Sequence, residues 1–239
     1  MSALNQSTLD ETSIAVRGDF LISPLSTLMI VAFRRALELQ HKLPEPILRM
    51  QGMSGRKYRY FINNMISMIG LPRYLEVGSW AGSTACAAMY GNAGKILCID
   101  NWSEFGGPKD QFISNINAAK NPRIDFQFIE QDFRSVDYSS IGSFNVYLFD
   151  GPHEYKDQYD GLMMAQPALD REFIFIVDDW NWERVRQGTF SAIKDSKLVI
   201  VSSIEIKTSQ TNGTPKLKFE ESEWHNGYFI AHCLKKDKL

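Results

Sequence analysis

The sequence lacks an excess of basic residues. Its 26 lysines and arginines stand against 28 aspartates and glutamates, which gives a formal net charge of −2 at pH 7. A protein whose main partner is nucleic acid usually neutralises phosphates with a surplus of positive charge. The composition therefore argues against nucleic acid as the main partner and leaves only a local basic patch open.

Long apolar runs are also missing. No segment approaches the roughly 20 consecutive apolar residues that a membrane-spanning helix needs. Residues 1–20 carry acidic and polar groups without the basic start and apolar centre of a secretion signal. We therefore expect a soluble protein without a membrane partner.

Cysteine is scarce, and its spacing does not suggest a metal site. The three cysteines stand inside apolar runs without C-x-x-C spacing, at Cys86, Cys98 and Cys233. Such positions favour buried free thiols over a metal site or disulfides. This pattern is typical of the reducing cytoplasm, where we expect the protein.

The chain is long enough for one α/β domain with an extension. It has 239 residues, of which 44% are apolar, and these can fill a substantial core. We divide it into an N-terminal helical extension, residues 1–50, and a domain of residues 51–239. Within the extension we expect residues 1–20 to be mobile and Ser23-Pro24 to begin a helix, while Ser54 predicts the cap of a second helix.

From residue 73 onwards, apolar runs alternate with helical patterns. Parallel strands joined by right-handed crossovers produce this order. A polar segment without a helix separates the last two apolar runs, so they predict an antiparallel hairpin. The predicted strands are 73–77, 95–99, 125–129, 144–149, 173–177, 198–206 and 227–234, and the predicted helices between them are 82–90, 109–119, 156–169 and 182–194.

The most informative segment follows the first strand of this series. Residues 74–84, Tyr-Leu-Glu-Val-Gly-Ser-Trp-Ala-Gly-Ser-Thr, place an acidic residue, a G-x-x-x-G turn and hydroxyls between a buried strand and a helix. Glycines let the backbone approach a ligand closely, and a helix N-terminus attracts negative groups. Asp100 ends the next apolar run, where its carboxylate can accept hydrogen bonds from both ribose hydroxyls. The segment predicts a nucleotide-cofactor site.

A nicotinamide cofactor fits this segment less well. The dinucleotide fingerprint requires G-x-G-x-x-G, whereas the position of the middle glycine is occupied by Trp80. The terminal hairpin also differs from the all-parallel ending of an ordinary dinucleotide domain. An oxidoreductase is therefore the weaker interpretation.

Acidic residues follow several predicted strands at the edge where parallel sheets bind ligands. Aspartates at these positions can simply cap the next helix. The adjacent Asp178 and Asp179, however, follow an apolar run directly and repel one another unless a cation or a proton neutralises them. Asp150 ends the neighbouring strand and is the natural third ligand. Three carboxylates suit a hard divalent ion such as Mg²⁺.

The glycine loop followed by Asp100 resembles class I S-adenosylmethionine-dependent methyltransferases. The run Asp150-Gly-Pro-His153-Glu-Tyr, followed by Ala168-Leu169 and Val177-Asp178-Asp179, is similar to metal-dependent O-methyltransferases of the macrocin and catechol types. The resemblance covers about residues 50–235 in order and pattern. It implies a Rossmann-like, doubly wound, mostly parallel seven-stranded sheet that ends in an antiparallel hairpin, while the N-terminal helical extension lies outside the resemblance.

The same resemblance implies roles for individual residues. The metal acids would be Asp150, Asp178 and Asp179, and His153, three positions after the first of them, would be the general base. The alternative for His153 is a structural loop histidine. The implied cofactor contacts are Glu76, Gly78 and Gly82 beside the methionine portion and ribose, Ser83 or Thr84 at the methionine carboxylate, Asp100 at the ribose diol, Asp132 on the adenine side, and Trp80, Trp102 and Asp150.

The aromatic residues near these positions allow two interpretations. Trp80 would lie near the cofactor and Trp102 would stack on adenine, or both would be packing residues. Trp180 and Trp182, which flank an asparagine directly after the metal acids, would either shape the acceptor pocket or fill the end of the sheet.

The resemblance implies S-adenosylmethionine as the cofactor and methyl transfer as the activity. The finer expectation is Mg²⁺-dependent O-methylation of a small hydroxylated molecule. The alternative is a non-catalytic S-adenosylmethionine-binding or regulatory protein of the same fold, because fold alone does not establish catalysis. The sequence does not identify the acceptor, since specificity lies in loops, and it leaves a homo-oligomer open.

Overall fold

The computed structural model describes residues 12–215 and 221–236. Its strands are β1 (Ser13–Gly18), β2 (Arg73–Val77), β3 (Gly94–Ile99), β4 (Ile124–Ile129), β5 (Phe144–Phe149), β6 (Leu169–Val177), β7 (Leu198–Lys207) and β8 (Tyr228–Lys235). Its helices are α1 (Pro24–Leu37), α2 (Glu45–Leu48), α3 (Arg56–Met68), α4 (Ser83–Met89), α5 (Lys109–Ala119), α6 (Tyr155–Ala165) and α7 (Glu183–Asp195).

The strands form one sheet in the order β1-β7-β8-β6-β5-β2-β3-β4. The five strands from β4 to β6 pair in parallel, and β8 lies antiparallel between β6 and β7. The chain starts its parallel part in the middle, at β2, and winds outward in both directions. The doubly wound, mostly parallel sheet with a terminal antiparallel hairpin is therefore confirmed.

The sheet has eight strands rather than seven, because β1 pairs antiparallel with β7. The expectation that residues 1–20 are mobile is wrong for Ser13–Gly18, and for residues 1–11 it falls outside the described residues. In β1, the apolar Ile14 and Val16 stand opposite Ile206 and Ile204. The strand has 6 residues, mostly exposed, so its alternating pattern was too short and too polar to predict it.

The two helices expected before the sheet are present. Ser23 caps α1 as predicted, since its hydroxyl accepts a hydrogen bond from the backbone N–H of Leu25 at 3.1 Å. The predicted cap of α3 is wrong, because Gly55 occupies that position. The Ser54 hydroxyl instead accepts a hydrogen bond from Nε of the buried Arg59 at 3.0 Å.

Hydrophobic cores cover both faces of the sheet. One core lies under α1, α3, α4 and α5, and the other lies under α6 and α7. The three cysteines are buried free thiols, as predicted. In the part of the chain that the structure describes, no helix has the length and apolar character needed to cross a membrane.

The N-terminal segment packs on the sheet domain. Helix α1 lies against α3, and the Ser26 hydroxyl lies 2.6 Å from Nδ1 of His232 on β8. These contacts hold α1 against the domain, and the boundary at residue 50 stays a prediction.

Candidate functional site

A cavity of about 510 Å³ lies at the carboxyl ends of β2, β3, β5 and β6. Loops that follow β2 to β6 form its walls, together with the segment just before β8 and the residues Gly52 and Met53. Ligands bind at this edge of an open parallel sheet, where the strand order reverses. The cavity is therefore the candidate active site.

The glycine loop between β2 and α4 lies directly against the backbone of Asp150 and the ring of Phe112. Gly78 has a φ of +86°, and a Cβ there would lie 1.9 Å from the carbonyl oxygen of Asp150. Gly82 has a φ of +81°, and its Cβ would lie 2.8 Å from the ring of Phe112. A side chain at either position would meet both backbone strain and a collision. Ser83 and Thr84, which follow, contribute to the cavity wall.

Asp100 connects the glycine loop with the loop after β3. Its Oδ2 accepts a hydrogen bond from the backbone N–H of Trp80 at 2.7 Å, and its Oδ1 accepts one from Trp102 at 2.6 Å. The carboxylate faces the cavity. Asp100 therefore holds two loops together at the cavity, and its contact with a ribose stays a prediction.

The two tryptophans of these loops have different surroundings. Trp80 lines the cavity, and its Nε1 donates to the carbonyl oxygen of Phe105 at 3.0 Å. The Trp102 ring packs edge-on against Phe112 and Phe128, with centroids 5.1 and 5.9 Å away, and is not among the described lining residues. Trp102 therefore packs against these two rings, and its stacking on adenine stays a prediction.

Glu76 lies beneath the loop rather than on the cavity wall. Its side chain is buried, and its Oε2 accepts a hydrogen bond from the Tyr74 hydroxyl at 2.6 Å. Burial raises the pKa of Glu76 to about 7; the hydroxyls of Tyr74 and Ser79 oppose this shift, and the charge of Asp100 adds to it. The folded protein therefore keeps the carboxyl group mostly neutral below about pH 7.

Replacing this buried acid is expected to change the pH dependence of stability. Because the pKa of Glu76 is about 7 in the folded protein against an ordinary 4.5, the charged form opposes folding fully above pH 7 and not at all below pH 4.5. Glu76→Gln should therefore raise the free energy of unfolding by at most about 3 kcal/mol at pH 8. Urea unfolding between pH 4.5 and 8 measures the gap, and a gap independent of pH would contradict this account.

Among the acids at strand ends, Asp132 is a cap. Its Oδ1 accepts a hydrogen bond from the backbone N–H of Arg134 at 2.8 Å, which begins a 3₁₀ turn, while the residue also lines the cavity. The caps of α6 and α7 are Glu154 and Trp182. Helix capping therefore does not account for the acids at the ends of β5 and β6.

Asp150 and Asp178 follow paired residues of the neighbouring parallel strands β5 and β6. Oδ1 of Asp178 accepts a hydrogen bond from the backbone N–H of Asp179 at 2.8 Å. Burial, followed by the neighbouring carboxylates, raises the pKa values of Asp150 and Asp178 well above the ordinary range. The pair is therefore unstable as two anions without a cation.

Asp179 is paired with His153. Its Oδ2 lies 2.5 Å from Nε2 of His153, and its Oδ1 accepts a hydrogen bond from Nδ2 of Asn226 at 2.5 Å. Burial lowers the pKa of His153, but the hydrogen bond and charge of Asp179 and the charge of Glu104 outweigh it, so the net shift is upward. Burial raises the pKa of Asp179, but His153 and Asn226 lower it below its usual value.

The predicted metal acids meet in one place with His153 beside them. One ligand atom from each of Asp150, His153 and Asp179 lies within 4.8 Å of the others. A hydrogen bond between the side chains of Asp150 and Asp178 connects Asp178 to this group. The arrangement can hold a hard cation with carboxylates, or with carboxylates and one imidazole.

The two tryptophans after the acids have different surroundings. Trp180 is fully buried and stacks on Phe229, with ring centroids 4.5 Å apart, so it fills the end of the sheet. Trp182 lines the cavity, and its ring meets that of His153 edge-on at 4.9 Å.

Some cavity residues were not found from the sequence. His225 and Asn226 enter from the segment before β8, and Asn226 contacts Asp179 directly. The Asn226-Gly227 pair does mark a turn, and Gly227 has a φ of +84°. A turn signal does not say which acid the turn will touch, so the contact was not predictable. Glu104 and Arg134 also line the cavity.

Comparisons with known proteins agree with this geometry. Residues 75–180 match the model of a family described as a methyltransferase domain. No curated protein sequence matches the chain.

Solved structures share the fold at low sequence identity. The O-methyltransferase TomG from Streptomyces achromogenes, solved with S-adenosylmethionine, is 12% identical with a TM-score of 0.56, over 89% of this chain and 100% of that one. Cofactor-bound Rv0187 from MTB is 13% identical with a TM-score of 0.53, over 90% and 91%. TrmN from Thermus thermophilus is 12% identical with a TM-score of 0.50, over 80% of this chain and 52% of that one.

The chain spans about half the length of TrmN, so likeness to that protein concerns only a part of it. At these identities the structures show the fold alone. The family match covers residues 75–180, less than half of the chain, and together with these structures it supports a methyltransferase domain of Rossmann-like fold.

Proposed function

We propose that the protein transfers a methyl group from S-adenosylmethionine to a hydroxyl of a small molecule, with a divalent cation at Asp150, Asp178 and Asp179. One observation carries the proposal: a single cavity extends from the glycine loop to the acids at the ends of β5 and β6. A cofactor at the first place and an acceptor at the second would lie side by side, so the fold would supply orientation.

The residues of the glycine loop fit the cofactor. Gly78 lets the loop pass directly against the backbone of Asp150, and Ser83 and Thr84 would offer hydroxyls to the methionine carboxylate. Each carboxylate oxygen of Asp100 uses one of its two lone pairs to accept a hydrogen bond from a backbone N–H. The remaining lone pairs could accept both ribose hydroxyls.

The acids fit a divalent cation because of their charge. Asp150 and Asp178 favour protonation when they face one another without a positive neighbour. A hard cation would stabilise the ionised carboxylates, which are the ligands it prefers. When bound, such an ion supplies one effect, a lower pKa for an acceptor hydroxyl.

His153 fits the role of general base through its pairing. Asp179 accepts the hydrogen bond at Nε2, which leaves the lone pair of neutral imidazole on Nδ1. Nδ1 would then take the proton of the acceptor hydroxyl. The rings of Trp182 and His153 pack in a T-shaped contact with centroids 4.9 Å apart.

Binding of the cofactor is tested with Asp100→Ala. Loss of the ribose hydrogen bonds should weaken S-adenosylmethionine binding by about 2–4 kcal/mol, measured by calorimetry. Asp125→Ala is the control, because this exposed acid on β4 lies outside the described cavity lining. Unchanged affinity in folded Asp100→Ala protein would defeat the assignment.

Turnover separates an enzyme from a binding protein. The proposal requires S-adenosylhomocysteine to form when hydroxylated small molecules are supplied with S-adenosylmethionine. A protein that binds the cofactor and gives no product with any acceptor would be the non-catalytic alternative.

A further inference from the structure

A buried arginine holds the segment that joins α2 to α3. The side chain of Arg59 is fully buried, and its Nη1 donates hydrogen bonds to the carbonyl oxygens of Leu48 and Met50, both at 2.9 Å. Its Nη2 donates to the carbonyl oxygen of Gly52 at 3.4 Å. Because Gly52 and Met53 line the cavity, Arg59 fixes a part of the cavity wall from the protein interior.

This segment packs directly on Ser83. A Cβ at Gly52 would lie 1.8 Å from Oγ of Ser83 and 2.4 Å from its Cβ, so only a residue without a side chain lets the backbone come this close. Oγ of Ser54 lies 3.4 Å from Oγ of Ser83. Both serines are buried, with 2% and 4% of their surface exposed, and Ser83 lines the cavity. The segment therefore restricts the directions in which the Ser83 hydroxyl can point.

The hydrogen bonds of these groups determine which of them donates. Nε of Arg59 donates to Oγ of Ser54 at 3.0 Å, and a guanidinium can only donate. The hydrogen of the Ser54 hydroxyl is then left for Oγ of Ser83, which is its other partner. Within residues 12–215 and 221–236, the Ser83 side chain has no further hydrogen bond. Ser83 therefore accepts from Ser54 and keeps its own hydrogen for a ligand in the cavity.

We propose that Arg59 and Ser54 are positioning residues for the cofactor, because they orient the Ser83 hydroxyl as a donor to the methionine carboxylate. This inference rests on the proposed function. A carboxylate can accept a hydrogen bond but cannot donate one, so it matches a hydroxyl that already accepts from its neighbour. Without the Ser54 hydroxyl, that of Ser83 would rotate more freely, and its hydrogen bond to the carboxylate would be weaker.

The test measures S-adenosylmethionine binding by calorimetry in Ser54→Ala, Ser83→Ala and the double variant. Ser54→Ala should weaken binding about three- to tenfold, as expected for the loss of one hydrogen bond. Because Ser54 acts through Ser83, the double variant should bind no more weakly than Ser83→Ala alone. Decarboxylated S-adenosylmethionine, which lacks only the carboxylate, should bind wild type and Ser54→Ala alike, whereas general damage to the cavity would weaken the binding of both compounds.

Arg59→Met should weaken S-adenosylmethionine binding at least as much as Ser54→Ala. This variant also removes the three hydrogen bonds to carbonyl oxygens, so the serine variants decide the question if it fails to fold.

Ser202→Ala is the matched control, since it breaks another pair of buried hydroxyls, those of Ser26 and Ser202, which lie 2.8 Å apart and outside the described cavity lining. It should leave the affinity unchanged. An affinity of Ser54→Ala within about twofold of wild type, an equal loss for the decarboxylated compound, or a double variant weaker than Ser83→Ala would overturn the inference. Failure of S-adenosylmethionine to bind the wild-type protein would instead contradict the proposed function, and the inference with it.

Discussion

Removal of divalent cations is expected to abolish methyl transfer, and Mg²⁺ or Mn²⁺ is expected to restore it. The reason is the carboxylate pair of Asp150 and Asp178, whose pKa values are raised by burial and by neighbouring carboxylates, so that both ionise together only with a cation beside them. A cation that activates the acceptor hydroxyl contributes several kcal/mol to the transition state, so the loss should be at least about 100-fold. The rate of S-adenosylhomocysteine formation measures it before chelation, after exhaustive chelation and after metal is returned.

Two controls belong to this experiment. Binding of S-adenosylmethionine to the chelated protein should stay nearly intact, because the glycine loop and Asp100 do not depend on the cation. Asp150→Asn should lower the affinity for Mn²⁺, while Asp137→Asn, an exposed acid outside the described lining, should not. Full activity after exhaustive chelation would assign the acids to substrate contacts instead.

His153→Ala is expected to lower turnover at least tenfold and to leave S-adenosylmethionine affinity nearly unchanged. General acid–base assistance is typically worth about 10²–10⁴-fold, and part of it remains if the cation alone activates the hydroxyl. The side chain lies at the acid group rather than at the glycine loop, so cofactor binding should not depend on it. Calorimetry and turnover on the same purified variant separate the two quantities.

His41→Ala provides the comparison for this variant. His41 stacks on Tyr60 and lies outside the described cavity lining, so its loss removes an imidazole without touching the site. Turnover close to wild type in His153→Ala would return His153 to the role of a structural loop histidine.

Much of the fold could be predicted because its signals are local. Apolar runs bounded by turns marked β2 to β8, and the missing helix before the last strand marked the hairpin. β1 was missed because a short edge strand gains its stability from β7, far away in sequence. The cap of α3 was assigned to Ser54 because the sequence did not show that Arg59 would take the hydroxyl.

The candidate site could be predicted where topology determines it. Parallel neighbours bring their carboxyl ends together, so Asp150 and Asp178 had to meet once β5 and β6 were adjacent. The contact of Asn226 with Asp179 depends on how the hairpin folds back over the sheet. The packing of Trp102 depends on rings from α5 and β4. Such contacts join segments that are distant in the sequence, so the spacing of residues along the chain does not predict them.

A crystal structure with S-adenosylhomocysteine and Mn²⁺, recorded with anomalous scattering from manganese, tests the central claim most directly. The account predicts cofactor density along the glycine loop with its ribose at Asp100, and an anomalous peak among Asp150, Asp178 and Asp179 in the same cavity. Cofactor density elsewhere, or a cavity that holds the cofactor with the carboxylates buried against it and no peak between them, would contradict the account.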